Sequence, residues 1–360
     1  NHLDTLSESY GLYCLNKGRI NAFYNKTKDA EDNYLNAKHI YNKQGNSNPT
    51  YFKTLNYLAL FYRGIGAYKS SEKTYDELKK LLTKAYAKID SQYINCLNEM
   101  GLLYKDMQQY KKAESYLIEA QKLQLASLSQ DHPNLANTLN NLGILYKNMG
   151  RYEEAIHCYN EVLRIREIHL GKLHILYTSS LTNLANLYLD LANYPLAEYC
   201  FLELIRLRGK AYGPNHPYYA TSLEGLAQLY KAMGIYKKAI AYSIEANKIR
   251  ESSLGSYHIV YAGGLSNLAQ TYTEAGMYDE ALLLYPRALS IYKATLGKDH
   301  LKYLDCLNRM AILYTYRGNY SKARSYFEEV LTSRELHFGR QKTQYAEGLA
   351  NLAFLYNEMG

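Results

Sequence analysis

The sequence predicts an all-α protein, built as a right-handed α-solenoid of stacked helical hairpins. Tyrosine recurs every 42 residues, at Tyr62, Tyr104, Tyr146, Tyr188, Tyr230, Tyr272, Tyr314 and Tyr356. Leucine recurs with the same spacing, at Leu55, Leu97, Leu139, Leu181, Leu223, Leu265, Leu307 and Leu349. Consecutive steps of one length, with no insertion, indicate a tandem repeat, and periods of about 20 to 50 residues are typical of solenoids.

The first half of each repeat has the spacing of an amphipathic helix. In one repeat, Leu139, Leu142, Gly143 and Tyr146 stand at positions i, i+3, i+4 and i+7. Residues at these positions share one face of an α-helix. Gly150 follows, and we expect a turn there because glycine readily adopts the left-handed conformation that ends helices.

The second half of each repeat predicts a second helix. It begins near Arg151 and would carry Tyr152, Ala155, Tyr159 and Val162 on its inner face. Alanine recurs where the two helices must approach closely, at Ala113, Ala155, Ala197, Ala239, Ala281 and Ala323. One repeat is therefore a helical hairpin, which must stack on its neighbours to bury its apolar face.

The fixed positions of the repeat resemble those of a known family. The pattern L-x2-[LM]-[GA]-x2-Y, followed by G-x-Y-x2-A, is similar to the tetratricopeptide repeat (TPR), with leucine in the usual tryptophan position. The 42-residue length and the closing Leu170-Gly171-x-x-His174 resemble the longer repeats of kinesin light chains and of many bacterial arrays. The resemblance covers residues 49–360 and implies a TPR superhelix that binds proteins or peptides.

The same period sets the expected domain boundaries. Residues 1–48 lose the register and are interpreted as a divergent N-terminal helical pair. Residues 49–360 form the array, with repeats at 49–90, 91–132, 133–174, 175–216, 217–258, 259–300 and 301–342 and a final first helix at 343–360. That last helix keeps apolar residues where an array needs a polar cap, so we expect the parent chain to continue.

The composition argues against two classes of protein. The chain has 360 residues, of which 47% are hydrophobic and 21% are charged. No apolar run approaches ~18 residues, so neither a disordered nor a membrane-spanning chain fits. The cysteines form no CxxC pair and indicate free thiols in a reducing compartment. Since no signal peptide is visible, the expected location is cytoplasmic.

Histidine also follows the repeat, at His132, His174, His216, His258 and His300. Packed helix axes lie about 8–10 Å apart, whereas a zinc–nitrogen bond is about 2.0–2.1 Å long, so equivalent histidines cannot share an ion. Each histidine instead stands at the start of a helix, where its ring can cap or pack the turn. No nucleophile–base pair, P-loop or paired-carboxylate motif is present. We therefore expect no metal, no cofactor and no enzymatic activity.

The candidate binding site is the face of the first helices opposite the buried stripe, which would line the concave groove. Its expected peptide-binding residues are Asn98, Lys105, Asn137, Asn140, Asn141, Lys147, Asn183, Asn186, Gln228, Lys231, Asn267, Gln270, Asn308 and Arg309. Asparagine is a mediocre helix former, so its recurrence on one face requires a reason. An amide both donates and accepts hydrogen bonds and can pair with the main chain of any extended peptide. The predicted function is a non-enzymatic scaffold that binds a protein or peptide in this groove.

Two other functions stay open. The unfinished C-terminus and the resemblance to bacterial arrays favour a sensor or regulatory arm of a larger protein, with an effector such as a caspase-like CHAT protease. A nucleic-acid-associated regulator rests on one basic stripe, Lys69, Lys73, Lys80, Lys84 and Lys88. The net charge is +8, but the groove itself is net acidic, so nucleic acid is not expected there.

Two further patterns bear on the site. The carboxylate clamp of chaperone-binding TPR proteins needs lysine, arginine and asparagine at fixed groove positions. This chain has Thr182 beside Asn186, then Gly225, then Gly263 and Asn267, so the clamp pattern fails. A column of arginines, Arg166, Arg208, Arg250 and Arg334, often has glutamate beside it and is interpreted as surface ion pairing.

Overall fold

A computed structural model describes residues 2–24, 26–43, 48–86, 90–127, 131–338 and 343–359. All regular secondary structure in these residues is α-helical, which confirms the all-α class. The chain forms two compact units, residues 1–171 and 172–360. Within each unit, consecutive helices pack against each other as hairpins.

The helices of the two units follow one another in chain order. The first unit contains α1 His2–Phe23, α2 Thr27–Lys43, α3 Pro49–Gly64, α4 Tyr68–Ala85, α5 Ser91–Asp106, α6 Tyr110–Ser127, α7 Pro133–Asn148 and α8 Tyr152–Leu170. The second contains α9 Ile175–Asp190, α10 Tyr194–Tyr212, α11 Pro217–Ala232, α12 Tyr236–Leu254, α13 Ile259–Glu274, α14 Tyr278–Leu296, α15 Leu301–Tyr316, α16 Tyr320–Phe338 and α17 Thr343–Met359. Odd-numbered helices are called first helices here, and even-numbered ones second helices.

The turn inside each hairpin depends on one left-handed residue. Gly150 has φ +74°, and its N–H donates to the carbonyl of Lys147 at 3.1 Å. This confirms the predicted turn between α7 and α8. The equivalent residues Gln108 and Ala192 adopt the same conformation without being glycine, at φ +60° and +54°.

The recurring histidines cap the first helices. In each case the main-chain N–H two residues further on donates to the histidine Nδ1, at 3.1–3.2 Å. The capping interpretation is therefore confirmed for all five positions. In the part of the chain that the structure describes, no group of three or more His, Cys, Asp or Glu side chains could hold a metal ion.

The hairpin core follows the predicted small-residue contacts. Ala155 is fully buried, and a Cβ added to Gly143 would lie 2.7 Å from the ring of Tyr159. The close approach of α7 and α8 is thus confirmed. Tyr152 was placed wrongly on the inner face: it is the first residue of α8 and is 38% exposed.

Tyrosine rather than phenylalanine fills the core because its hydroxyl reaches partners at the edge of the helix pair. The Tyr62 hydroxyl donates to Glu31 Oε1 at 2.8 Å, and the Tyr104 hydroxyl donates to Glu72 Oε1 at 2.7 Å. Burial, and then this hydrogen bond, raise the pKa of Tyr62 to about 12. The buried rings and satisfied hydroxyls together account for the systematic use of tyrosine.

The arginine column corrects a sequence prediction. The surface-pairing interpretation is wrong, because all four arginines are buried. Arg208 is only 4% exposed. Its guanidinium donates to Thr182 Oγ1 on α9 at 2.9 Å and to Ser222 Oγ on α11 at 3.0 Å, and burial lowers its pKa. Its long stem carries the charge inward between two successive first helices. The equivalent residues of the other repeats are also buried, and include Leu82, Gln124 and Tyr292.

Candidate functional site

In the first unit, the predicted site residues lie on α5 and α7. Asn98 and Lys105 belong to α5, whereas Asn137, Asn140, Asn141 and Lys147 belong to α7. The four asparagines line one cavity, and the two lysines do not. Lys105 instead pairs with the neighbouring Asp106 at 3.0 Å.

The cavity has a volume of about 550 Å³ and lies among α3, α4, α5 and α7. Its amide side chains are Asn56, Gln92, Asn95, Asn98, Asn137, Asn140 and Asn141, and its apolar wall includes Phe52, Leu78, Leu82 and Leu102. Asn56, Gln92 and Asn95 were missed by the sequence analysis. The repeat could have revealed two of them, because Asn56 precedes Asn98 by 42 residues and Asn95 precedes Asn137 by the same step.

The cavity is open where a side chain is short. Leu82 occupies the buried position of α4 at which the following repeats carry Gln124 and Arg166. In the later repeat, Arg166 reaches α7 and donates to Asn137 Oδ1 at 3.1 Å. Leucine is shorter and has no polar group to reach the facing helices. The space that a longer side chain would cross therefore remains open above Leu82.

The polar wall contains one amide oxygen without a partner. Asn98 is 8% exposed, and its Nδ2 donates to the carbonyl of Ile94 at 3.2 Å. Its Oδ1 is buried and has no hydrogen-bond partner within the described residues. The nearby carboxylate of Glu99 is already paired, with Arg63 at 2.6 Å. Burial raises the pKa of the Cys96 thiol to about 12, so this part of the wall is uncharged.

In the second unit, the predicted residues are distributed over four first helices. Asn183 and Asn186 lie on α9, Gln228 and Lys231 on α11, Asn267 and Gln270 on α13, and Asn308 and Arg309 on α15. Several of their polar groups bond to other side chains of the same unit. Gln270 Nε2 donates to Glu274 at 2.8 Å, and Lys231 donates to the same carboxylate at 3.3 Å. Asn308 Oδ1 accepts from Asn351 at 2.8 Å.

A buried carboxylate organises three of these helices. Glu224 Oε1 accepts from Gln228 Nε2 at 2.9 Å and from Asn267 Nδ2 at 3.0 Å. Its Oε2 accepts from Arg250 at 3.1 Å. Asn267 Oδ1 in turn accepts from Arg309 at 2.9 Å. The amide of Asn267 is therefore held at both ends by the protein itself.

Glu224 was not among the predicted site residues. Its column otherwise holds Asn140, Thr182, Ser266 and Asn308. The single acidic residue in a column of small polar side chains was the available signal. The predicted asparagine face thus differs between the units: the first has an amide-lined cavity, and the second has a network centred on Glu224.

The basic stripe on α4 lies on the surface. Lys69, Lys73, Lys80 and Lys84 are exposed, whereas Lys88 lies outside the described residues. No helix in the described ranges is long and apolar enough to cross a membrane.

Known proteins share the repeat and the fold. A family model described as the tetratricopeptide repeat matches residues 92–168, 177–252 and 260–336, and no curated protein matches the chain. The chain is similar to the apo form of RapI, with 14% identity and a TM-score of 0.55 over 97% of this chain and 98% of that one. It is similar to BtubC (BKLC) from P. vanneervenii, with 21% identity and a TM-score of 0.52 over 64% and 91%. Repeats assigned to a kinesin light chain of Podosopora anserina match with 23% identity and a TM-score of 0.48 over 57% and 98%.

At these identities, the similarity to RapI and BtubC shows the shared fold alone. The family model carries the assignment, because its matches cover more than half of the chain. The chain therefore belongs to the tetratricopeptide repeat family, a family of protein-interaction scaffolds.

Proposed function

We propose that the chain is a scaffold that holds an extended segment of a partner protein in the amide-lined cavity of its first unit. The observation that carries this proposal is the unpartnered Asn98 Oδ1 in the cavity wall. Leaving a buried polar group without a hydrogen bond costs about 1–3 kcal/mol. A main-chain N–H of a bound segment would satisfy this oxygen, so binding would remove the penalty.

The other walls match the alternating chemistry of an extended chain. Each residue of such a segment presents one N–H and one C=O, and its side chains alternate between two sides. Side-chain amides can answer both main-chain groups. Leu78, Leu82 and Leu102 would then receive an apolar side chain on the side that faces them. The expected ligand is therefore an extended segment with at least one apolar residue.

The charge of the cavity favours an uncharged segment. Its ionic lining residues are Lys53 and Glu99, and Glu99 is paired with Arg63. Interactions between neutral amides and a peptide main chain are only weakly screened by salt. Binding should therefore change little between low and high ionic strength, whereas docking on the exposed lysines of α4 would be strongly salt-dependent.

A peptide selection tests the proposal. Random octapeptides, capped at both ends, are panned against the whole chain, and the best binder is synthesised. Each replaced hydrogen bond is expected to contribute about 0.5–1.5 kcal/mol, so Asn95→Ala combined with Asn141→Ala should weaken binding roughly 5- to 150-fold. Asn160→Ala is the matched control, because Asn160 is exposed on α8 and does not line the cavity.

A second variant tests the volume of the site. Leu82→Gln copies the residue at the equivalent position of the next repeat, Gln124, and should reduce affinity by filling the apolar wall. Circular dichroism establishes that each variant is folded. A selected peptide that binds the double variant, Leu82→Gln and the control equally would contradict the proposal. A selection that yields no binder would contradict it as well.

A further inference from the structure

A second cavity, of about 310 Å³, lies in the second unit beside α13 and α15. It is open because Gly263 and Gly264 supply no side chains. A Cβ added to Gly263 would meet only the Tyr292 hydroxyl within 4 Å, at 3.4 Å. A Cβ added to Gly264 would lie 1.9 Å from Asn247 Oδ1 and 2.6 Å from an Arg250 nitrogen. Gly264 thus lets two polar side chains reach the backbone of α13, and Gly263 leaves space beside them.

Cationic groups dominate the lining of this cavity. Arg250, Lys302 and Arg309 line it, together with one carboxylate, Asp305. That carboxylate accepts a hydrogen bond from Arg334 at 2.8 Å, so its charge is compensated from outside the cavity. Asp305 therefore does not neutralise the three cations that face the space.

The arginines retain unused hydrogen-bonding capacity. Arg250 is 5% exposed; one of its nitrogens donates to Glu224 at 3.1 Å, and its Nε has no partner in the described structure. Arg309 donates to the uncharged Asn267 Oδ1 at 2.9 Å and Ser266 Oγ at 3.5 Å. A guanidinium group carries five N–H donors. After the Arg250–Glu224 pair is formed, Arg309 and Lys302 leave a positive surplus at the cavity.

We infer that this cavity binds one oxyanion group, a carboxylate or a phosphate, between Arg309, Lys302 and the buried edge of Arg250. Planar guanidinium groups bind both oxyanions with short, charge-assisted hydrogen bonds. A carboxylate would arrive on an aspartate or glutamate of a partner segment, and a phosphate as the free ion. This residue set differs from the carboxylate clamp, whose positions here include Gly225 and Gly263. The inference does not rest on the proposed function, which concerns the other unit.

Thermal unfolding of the whole chain tests the site. Sodium chloride is replaced by sodium phosphate at constant ionic strength, and in a second series by the capped tripeptide acetyl-Gly-Glu-Gly-amide or its Gln counterpart. Phosphate should raise the melting temperature of the wild type, since a ligand that binds only the folded state stabilises it. Arg309→Gln should weaken the apparent phosphate affinity about 10- to 100-fold.

Two further variants separate a built site from general electrostatics. Gly263→Leu keeps every charge but fills the cavity, so it should also abolish the phosphate response. Lys302→Gln changes an exposed residue and should reduce the response without threatening the fold. Lys237→Gln removes an exposed lysine of α12 that does not line the cavity and should respond like the wild type.

The outcomes distinguish the source of the anion. A response to phosphate alone assigns the site to a free ion. A response to the Glu tripeptide that exceeds the response to the Gln tripeptide assigns it to an acidic side chain. An equal phosphate response in the wild type, Arg309→Gln and Gly263→Leu would overturn the inference, as would a wild type that responds to none of the probes.

Discussion

Replacing Ala192 by glycine should stabilise the second unit. Ala192 has φ +54° in the turn between α9 and α10. Five of the equivalent turns have glycine at this position, at Gly66, Gly150, Gly234, Gly276 and Gly318. The side chain of Ala192 is exposed, so its removal loses no core packing. The turn hydrogen bonds are main-chain bonds, Ala192 N–H to Leu189 at 2.9 Å and Asn193 N–H to Tyr188 at 2.8 Å, and the substitution keeps them.

The magnitude follows from two opposing terms. The left-handed conformation costs an L-residue about 1–2 kcal/mol. Glycine gives the unfolded chain more freedom, which offsets about 0.5–1 kcal/mol of that gain. The net stabilisation expected for Ala192→Gly is about 0.5–1 kcal/mol. The reverse change at an equivalent turn, Gly234→Ala, should destabilise by a similar amount.

Amide hydrogen exchange is the appropriate assay, because long repeat arrays need not unfold in one cooperative step. A stabilisation of about 0.5–1 kcal/mol should slow exchange in α9 and α10 roughly two- to fivefold, provided that those amides exchange through opening of this hairpin. Gly234→Ala should accelerate exchange in α11 and α12 by a comparable factor. Unchanged or faster exchange in Ala192→Gly would show that the left-handed turn does not limit the stability of the hairpin.

Three further perturbations test the packing and the charges. A Cβ on Gly225 would lie 2.3 Å from the ring of Phe201, so Gly225→Ala should destabilise by about 1–3 kcal/mol in urea unfolding. Arg250→Met leaves Glu224 buried without its cation and should destabilise by about 3–5 kcal/mol, with much of the loss recovered when Glu224→Gln is added. A hydrogen bond to a carboxylate, followed by burial, raises the pKa of Tyr230 to about 12. This folded-state pKa exceeds the ordinary value near 10, so the stability contributed by Tyr230 is complete below pH ~10 and is lost as the pH rises through about 12. Tyr230→Phe should show a smaller decline over that range in stability measurements.

Much of the fold could be predicted because its determinants are local. Gly150 ends α7, His132 caps it, and Ala155 admits the close approach of α8. Each of these roles depends on residues within one hairpin or its first turn. A repeat that conserves them at constant spacing therefore reveals the helices and their contacts without knowledge of the tertiary structure.

The ends of long side chains were harder to predict. Helical spacing places Arg208 and Arg250 at one position of the second helix but does not say whether the guanidinium turns outward or inward. It turns inward, because hydroxyls on two first helices receive Arg208 and the carboxylate of Glu224 receives Arg250. These partners come from neighbouring helices. Their spacing from the arginines varies along the chain, and the period alone could not identify them.

The candidate site was predicted in part for the same reason. The face that carries Asn98 and Asn141 follows from helical periodicity. The depth of the cavity depends instead on Leu82, which belongs to another helix and breaks its own column. The occupation of Asn267 by Glu224 and Arg309 likewise required three helices to be placed together.

The most direct test of the proposed function is amide hydrogen exchange of the whole chain with and without the selected octapeptide. Binding in the amide-lined cavity should slow exchange in α3, α5 and α7, the first helices that line it. The helices around Glu224, α11, α13 and α15, should exchange at unchanged rates. Protection confined to α11, α13 and α15, or no protection at saturating peptide, would contradict the assignment of peptide binding to the first unit.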